Sequence, residues 1–225
     1  MFEKNGQFME PVVIYFLGVL SLVIVFIIFF RKQVRLRLIS IKHGKYSYKY
    51  VKQFKKYANK SPFPYCFKDD IMPYLRLGNA KKDNVDHYPS EMILLFEGIP
   101  YYSSLKEIIE KYGKPDCFNA FNIKNQELRA YGYNKSILGI PVKAVFFFIF
   151  ESFVMGEYLI DDLTEGNIQS VSKSLMDKCG VIPRNEAMHY YIDGNETSVY
   201  FYENGFSAMI RYMNQANITL HELIK

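Results

Sequence analysis

Apolar positions along this chain fall into two regimes. From Val12 to Phe30 they are continuous: VVIYFLGVLSLVIVFIIFF holds nineteen residues without a charge, sixteen of them Val, Ile, Leu or Phe. At a helical rise of about 1.5 Å per residue the run reaches about 28 Å, close to the ~30 Å hydrocarbon core of a bilayer. At roughly 0.3–0.6 kcal/mol per residue, sixteen of them favour insertion by about 5–10 kcal/mol at most. A core helix would carry a polar face, and none exists here at any period. A signal peptide would set basic residues before the apolar run and a small-residue cleavage site after it, whereas here the basic residues follow. The pattern predicts a short tail over residues 1–11 and a single transmembrane helix over 12–30.

Beyond residue 90 the apolar positions are periodic, and one arrangement occurs twice. SSLKEIIEKYGKP and QSVSKSLMDKCGVIP both read as helices stopped by Gly and then Pro, at Gly113 with Pro115 and at Gly180 with Pro183. Aligned on the glycines, Ile108 falls on Leu175, Ile109 on Met176 and Lys111 on Lys178. Strand patterns follow each helix. They cover Leu128–Tyr133, Val142–Phe150 and Val154–Asp161 in the first copy, and Met188–Ile192, Ser198–Tyr202 and Phe206–Met213 in the second. Asp193-Gly194 and Asn204-Gly205 are hairpin-turn signals. VFFFIF does not read as a second membrane helix. Ala144–Met155 is twelve residues long and contains Glu151, so it is a buried strand. The expected class is α+β, with two helix-plus-antiparallel-meander repeats (about 98–161 and 165–213) inside a domain of residues 91–225, helices on one sheet face.

The doubled unit, carried by GIPYYSSLKEIIEKYGKPD (Gly98–Asp116) and echoed by EGNIQSVSKSLMDKCGVIP (Glu165–Pro183), resembles the β-lactamase inhibitory protein and the small outer-membrane assembly lipoproteins of the SmpA/OmlA type. That resemblance implies a fold and a tendency to bind proteins. It implies no functional residue, and this chain has no lipidation cysteine near its start.

Charge changes the picture between these regions. Residues 1–30 carry a net −1, residues 31–60 carry eleven basic side chains and no acid, and residues 61–225 carry a net −5. The lopsided flanks of the apolar run predict the N-terminus outside and the bulk of the chain in the cytosol, at the inner or plasma membrane. The basic segment reads as helix continuing to Gly44, although the alternation in VRLRLISI also fits a strand. Tyr46, Tyr50, Phe54 and Tyr57 then recur on one helical face, with Lys45, Lys49, Lys52 and Lys56 near or opposite. Arg31, Lys32, Arg35, Arg37, Lys45, Lys49, Lys52 and Lys56 are the expected contacts to anionic lipid headgroups. The plainer reading is a topology signal alone. Nucleic-acid binding is not expected, since the membrane tether already accounts for the charge.

Residues 61–90 read as a Pro-rich connector with the domain boundary in Gly78–Ser90. Cys66, Cys117 and Cys179, with no CxxC, are expected as free thiols of a reducing compartment. His43, His87, His189 and His221 stand in no ligand spacing, so no metal is expected. No GxGxxG or GxxxxGK[ST] occurs, so no cofactor is expected either. Cys179 and His189 form the one conceivable thiol–imidazole pair, but the expected reading is a core Cys at a helix end and a separate strand His. Asp69-Asp70 and Asp161-Asp162 read as turn and cap residues. The functional expectation is a membrane-anchored, non-enzymatic protein-binding module; a structural subunit of a membrane assembly, or an enzyme without a local signature, are the alternatives.

Overall fold

The computed structural model describes residues 9–67, 71–77, 85–161, 164–182, 189–204 and 207–224. The chain divides into two compact units, the first running to Pro62 and the second from Phe63.

The first unit is two helices. Helix α1 runs Met9–His43, through the apolar run and on into the basic segment. It is bent by 62° between Val13–Phe26 and Ile28–His43. Among the described residues no single helix is long and apolar enough to cross a membrane, although the two limbs meet the length and composition requirement together. The single transmembrane helix expected over 12–30 is thus not shown by any one helix. Nothing in the sequence marks the bend, since no Pro or Gly pair, the usual causes of a sharp kink, lies near Ile27. The chain turns at Gly44 (φ +79°). Ser47 then caps helix α2, Tyr48–Ala58, by accepting the N–H of Tyr50 at 3.2 Å.

The second unit is mixed α+β around one eight-stranded sheet. Its strands are β1 (Asp86–Pro89), β2 (Cys117–Ile123), β3 (Gln126–Ile137), β4 (Ile140–Ile149), β5 (Ser152–Ile160), β6 (His189–Asp193), β7 (Thr197–Glu203) and β8 (Ala208–Asn214). They lie in the order β1-β6-β7-β8-β5-β4-β3-β2, antiparallel throughout except for β1 against β6. So β2–β5 form one meander, β6–β8 another, and the two join where β5 pairs with β8.

Helices α4 (Leu105–Tyr112) and α5 (Glu165–Lys178) precede the two meanders, and both pack on the same sheet face. Tyr112 meets the rings of Tyr133 and Phe146, while the Ser172 hydroxyl lies 3.0 Å from that of Tyr190. Helix α4 opens with a reciprocal cap between Ser104 and Glu107, and Ile108 is its fully buried anchor. Both helices are followed by a positive-φ glycine, Gly113 and Gly180.

The opposite face is covered as well, which corrects the expectation of helices on one side only. Short helices α3 (Met72–Leu77) and α6 (Ile218–Ile224) set Leu75, Leu220 and Leu223 against Val145, Phe147, Tyr200 and Met209. A β-bulge at Phe147/Phe148 lets Val154 and Met155 enter this same core side by side.

From Phe63 on, the described part of the segment expected as a connector lies within this unit. Cys66 and Phe67 are buried, and Cys66 is bonded to Cys117 across a separation of 51 residues. Two of the three cysteines are thus paired, not free. The sequence hid this because β2 was not foreseen, and β2 is what carries Cys117 to Cys66. When formed, a loop of this size restrains the unfolded chain by about 4 kcal/mol.

Phe96 fixes the loop between β1 and α4. Its ring is wholly buried among Phe146, Phe153, Tyr158 and Tyr212. It fits because β5 offers Gly156 beneath it, where a Cβ would stand 2.2 Å from the ring. Gly156→Ala should therefore lower stability by about 1–3 kcal/mol through overpacking, measured by denaturant unfolding. Adding Phe96→Leu should recover part of that loss relative to the sum of the single changes, because the two residues share one space.

Candidate functional site

The predicted site residues all lie on the two-helix unit. Arg31, Lys32, Arg35 and Arg37 ride on the second limb of α1 and are exposed. Lys45 sits in the turn rather than on a helix. On α2 the helical period separates two faces: Tyr50, Val51, Gln53, Phe54 and Tyr57 are half-buried, while Lys49, Lys52, Lys55 and Lys56 are exposed. At about 100° per residue those four lysines fall within about 120° of arc. The structure thus brings together three of the lysines named from sequence, replaces Lys45 by Lys55, and leaves Tyr46 in the turn outside the aromatic face. The signal for Lys55 was present in the 3.6-residue period, once the helix start is set at Tyr48 instead of Lys45.

Helix α2 folds back along α1. The Lys32 ammonium stands 6.0 Å from the Tyr57 ring centroid, which brings the end of α2 level with the start of the basic limb. Lys52 lies 5.6 Å from the centroid of Tyr48. Residues 31–60 hold no carboxylate to neutralise these charges. What the arrangement can do chemically is bind anions over a surface, through many weak contacts.

The α+β unit contains a second polar cluster, which sequence reasoning missed. Glu97 sits in the Phe96 loop with a left-handed backbone (φ +56°). Its carboxylate accepts from the Tyr158 hydroxyl at 2.7 Å, the Lys135 ammonium at 2.5 Å and the Tyr112 hydroxyl at 3.2 Å. Its carbonyl accepts from Lys111 and Tyr112. Lys135 in turn lies 3.8 Å from the Tyr112 ring centroid. Burial pushes the Glu97 carboxyl up, but the donors from Lys135, Tyr158 and Tyr112 outweigh it and leave it below its ordinary value. Burial, with Glu97 beside them, pushes both tyrosine hydroxyls up. Every group in this cluster has a partner inside the protein. It ties the loop to α4, β3 and β5, and it is a structural clamp.

The other candidate chemistry does not assemble. Cys179 ends α5 on the sheet face of Tyr190, is 1% exposed, and has its thiol pushed up to about 11 by burial. His189 precedes Tyr190 on β6 and therefore points to the opposite face, where its ring lies near Tyr202. The sheet stands between thiol and imidazole, so the conceivable pair does not form, and the two residues are a buried Cys at a helix end and a strand His. Asp69, Asp70 and Asp162 lie outside the described residues. Among the described residues no three His, Cys, Asp or Glu side chains converge as metal ligands do.

Comparison with known proteins adds no relative: no family model, no curated protein and no solved structure matches the chain.

The Glu97 clamp has a pH signature. A carboxyl held below its ordinary value adds stability above the unfolded pKa of about 4.3 and loses it as pH falls through the folded value. Wild type should accordingly melt above Glu97→Gln at pH 7, and the two melting temperatures should converge in acid. A gap that stays constant from pH 7 down to pH 3 would remove the ionised clamp.

Proposed function

We propose that the chain is a membrane-anchored protein, held at the headgroup layer by its basic helical hairpin, whose α+β unit is a non-enzymatic protein-binding module on the cytosolic side. The observation that carries the membrane half is exposure. From Val13 to Phe30, fifteen large apolar side chains of α1 stand bare, among them Phe29 at 81% and Tyr15 at 79%. A core helix would hide such a face against protein, and an apolar surface this long needs a cover. Lipid is the cover its composition fits, as a span bent at Ile27 or as a limb that dips in and turns along the interface.

The basic limb and α2 follow directly on this apolar stretch. A limb turned 62° from an inserted one runs closer to the membrane plane than to its normal. This supports contact between headgroups and the lysine face of α2. The cytosolic side rests on the flanks, eleven basic residues after the run against one before it. The protein-binding half rests on the resemblance carried by Gly98–Asp116 and Glu165–Pro183.

Four lysines near an anionic surface, at about 1 kcal/mol each, favour it over a neutral one about a thousandfold. The full chain reconstituted into bilayers with anionic lipid should therefore have Lys49, Lys52, Lys55 and Lys56 several-fold slower toward an amine-reactive label than in neutral bilayers. The difference should vanish at 1 M salt, where screening acts within about 3 Å. Equal labelling in both lipids leaves the segment a topology signal only. Sidedness has its own check: a reporter active only in the cytosol, fused after Lys225, should be active.

A further inference from the structure

We infer that Cys66 and Cys117 are a reversible redox latch, which fastens the segment entering the α+β unit to that unit's edge strand. The inference rests on the cytosolic side proposed above.

Cys66 lies four positions into the second unit and Cys117 is the first residue of β2, the strand at one edge of the sheet. Their Cα atoms are 5.0 Å apart. The sulfurs occupy space that β3 leaves open for them. Gly132 is paired directly with Cys117, and a Cβ there would stand 2.3 Å from the Cys117 sulfur and 2.9 Å from that of Cys66. Any larger residue would have to push the bond aside.

The segment is also held without the sulfur bond. The side-chain oxygen of Asn119 accepts the N–H groups of Cys66 and Phe67 at 2.7 and 3.0 Å, and its amide nitrogen donates to the Phe67 carbonyl. The Phe118 N–H donates to the Pro64 carbonyl at 2.9 Å, and the Phe67 ring packs on Phe147. Cleavage of the disulfide therefore leaves the two thiols facing each other in a folded unit, ready to close again. A bond that can open and reclose without unfolding is a latch. In a reducing compartment, disulfides of this kind are transient and redox-responsive. The third cysteine has no part in it, being sealed under the end of α5.

Closure is two thiol–disulfide exchanges. One protein thiolate attacks a low-molecular-weight disulfide, forming a mixed disulfide and releasing one small thiol. The second protein thiolate attacks the protein-bound sulfur and releases the other. Two protein thiols lose two electrons and two protons, and the small disulfide is reduced to two thiols. A dithiol reductant reverses both steps. Closed, the bond fixes Phe63–Phe67 at the edge of β2; open, the Asn119 clamp, the Phe118–Pro64 hydrogen bond and the Phe67–Phe147 contact remain, and the segment yields more easily.

The test uses the full chain in its native membranes. Thiols are trapped with acid, tagged with a mass-shifting maleimide, and read before, during and after exposure to a membrane-permeant thiol oxidant. The pair should be mostly reduced at rest, oxidised within minutes and reduced again after washout. Its ratio should change about tenfold for each ~30 mV of thiol poise. Cys117→Ser should abolish the response, and Cys179→Ser should leave it intact. A pair that stays reduced under oxidant overturns the latch and leaves the cytosolic reading standing. A pair fully oxidised at rest also overturns it. If the reporter after Lys225 is then active only outside, the cytosolic reading falls too, and the bond is the permanent staple of an exported domain.

Discussion

One buried ion pair closes the sheet at its seam. Glu157 on β5 and Arg211 on β8 stand directly across from one another where the two meanders meet, and both are essentially without solvent. Burial drives the Glu157 carboxyl toward its neutral form, and the hydrogen-bonded guanidinium opposes that. Arg211 also donates to the Leu75 carbonyl at 3.0 Å, so the same group seats α3 on the sheet. Such a pair adds little net stability over apolar residues of the same size, yet removing one partner strands the other at a cost of about 3–5 kcal/mol. Its effect is on register. A slip of one residue between β5 and β8 would put an unpaired charge into an apolar layer, so the join between the meanders has one acceptable alignment.

Much of this fold could be read from residue order, wherever apolar period and punctuation agree. The two helices ending at Gly113 and Gly180 are present, and the six strand patterns fall within β3 to β8 apart from frayed ends, with Met188 and Phe206 outside the described residues. VFFFIF is a central strand, paired with β3 and β5 on its two edges and buried on both faces, by Phe96 and Tyr112 on one and by the core around Leu75 and Leu220 on the other. What was not legible depends on distant partners. β2 carries Asn119 and Asn122, which break the apolar alternation, and Asn119 is polar because it grips a segment more than fifty residues away. β1 is four residues ending in Pro, and it exists only as a parallel neighbour of β6. The Glu97 clamp gathers its members from the loop, α4, β3 and β5, with no common spacing.

The hairpin was more legible than the second unit's polar clusters, because its chemistry is repeated locally. A helix of alternating Lys and aromatic residues sorts itself into faces by period alone. Only where the helix begins, and hence Lys55 in place of Lys45, needed the turn at Gly44 and the cap at Ser47. The bend in α1 was invisible for the opposite reason, since an unbroken apolar run offers no residue at which to expect it.

The strand order also governs how the unit is made. β5 lies inside the finished sheet, but its outer neighbour is β8, the last strand among the described residues. During synthesis the first meander is complete by Ile160, while its partner edge arrives only with Ala208–Asn214. At about 5–20 residues per second that interval lasts on the order of 3–10 seconds. Throughout it, Met155–Ile160 offers a row of unpaired backbone groups flanked by apolar side chains. Open edges of this kind recruit other strands. A buried glutamate in the middle of that edge makes such a stray pairing costly until Arg211 arrives.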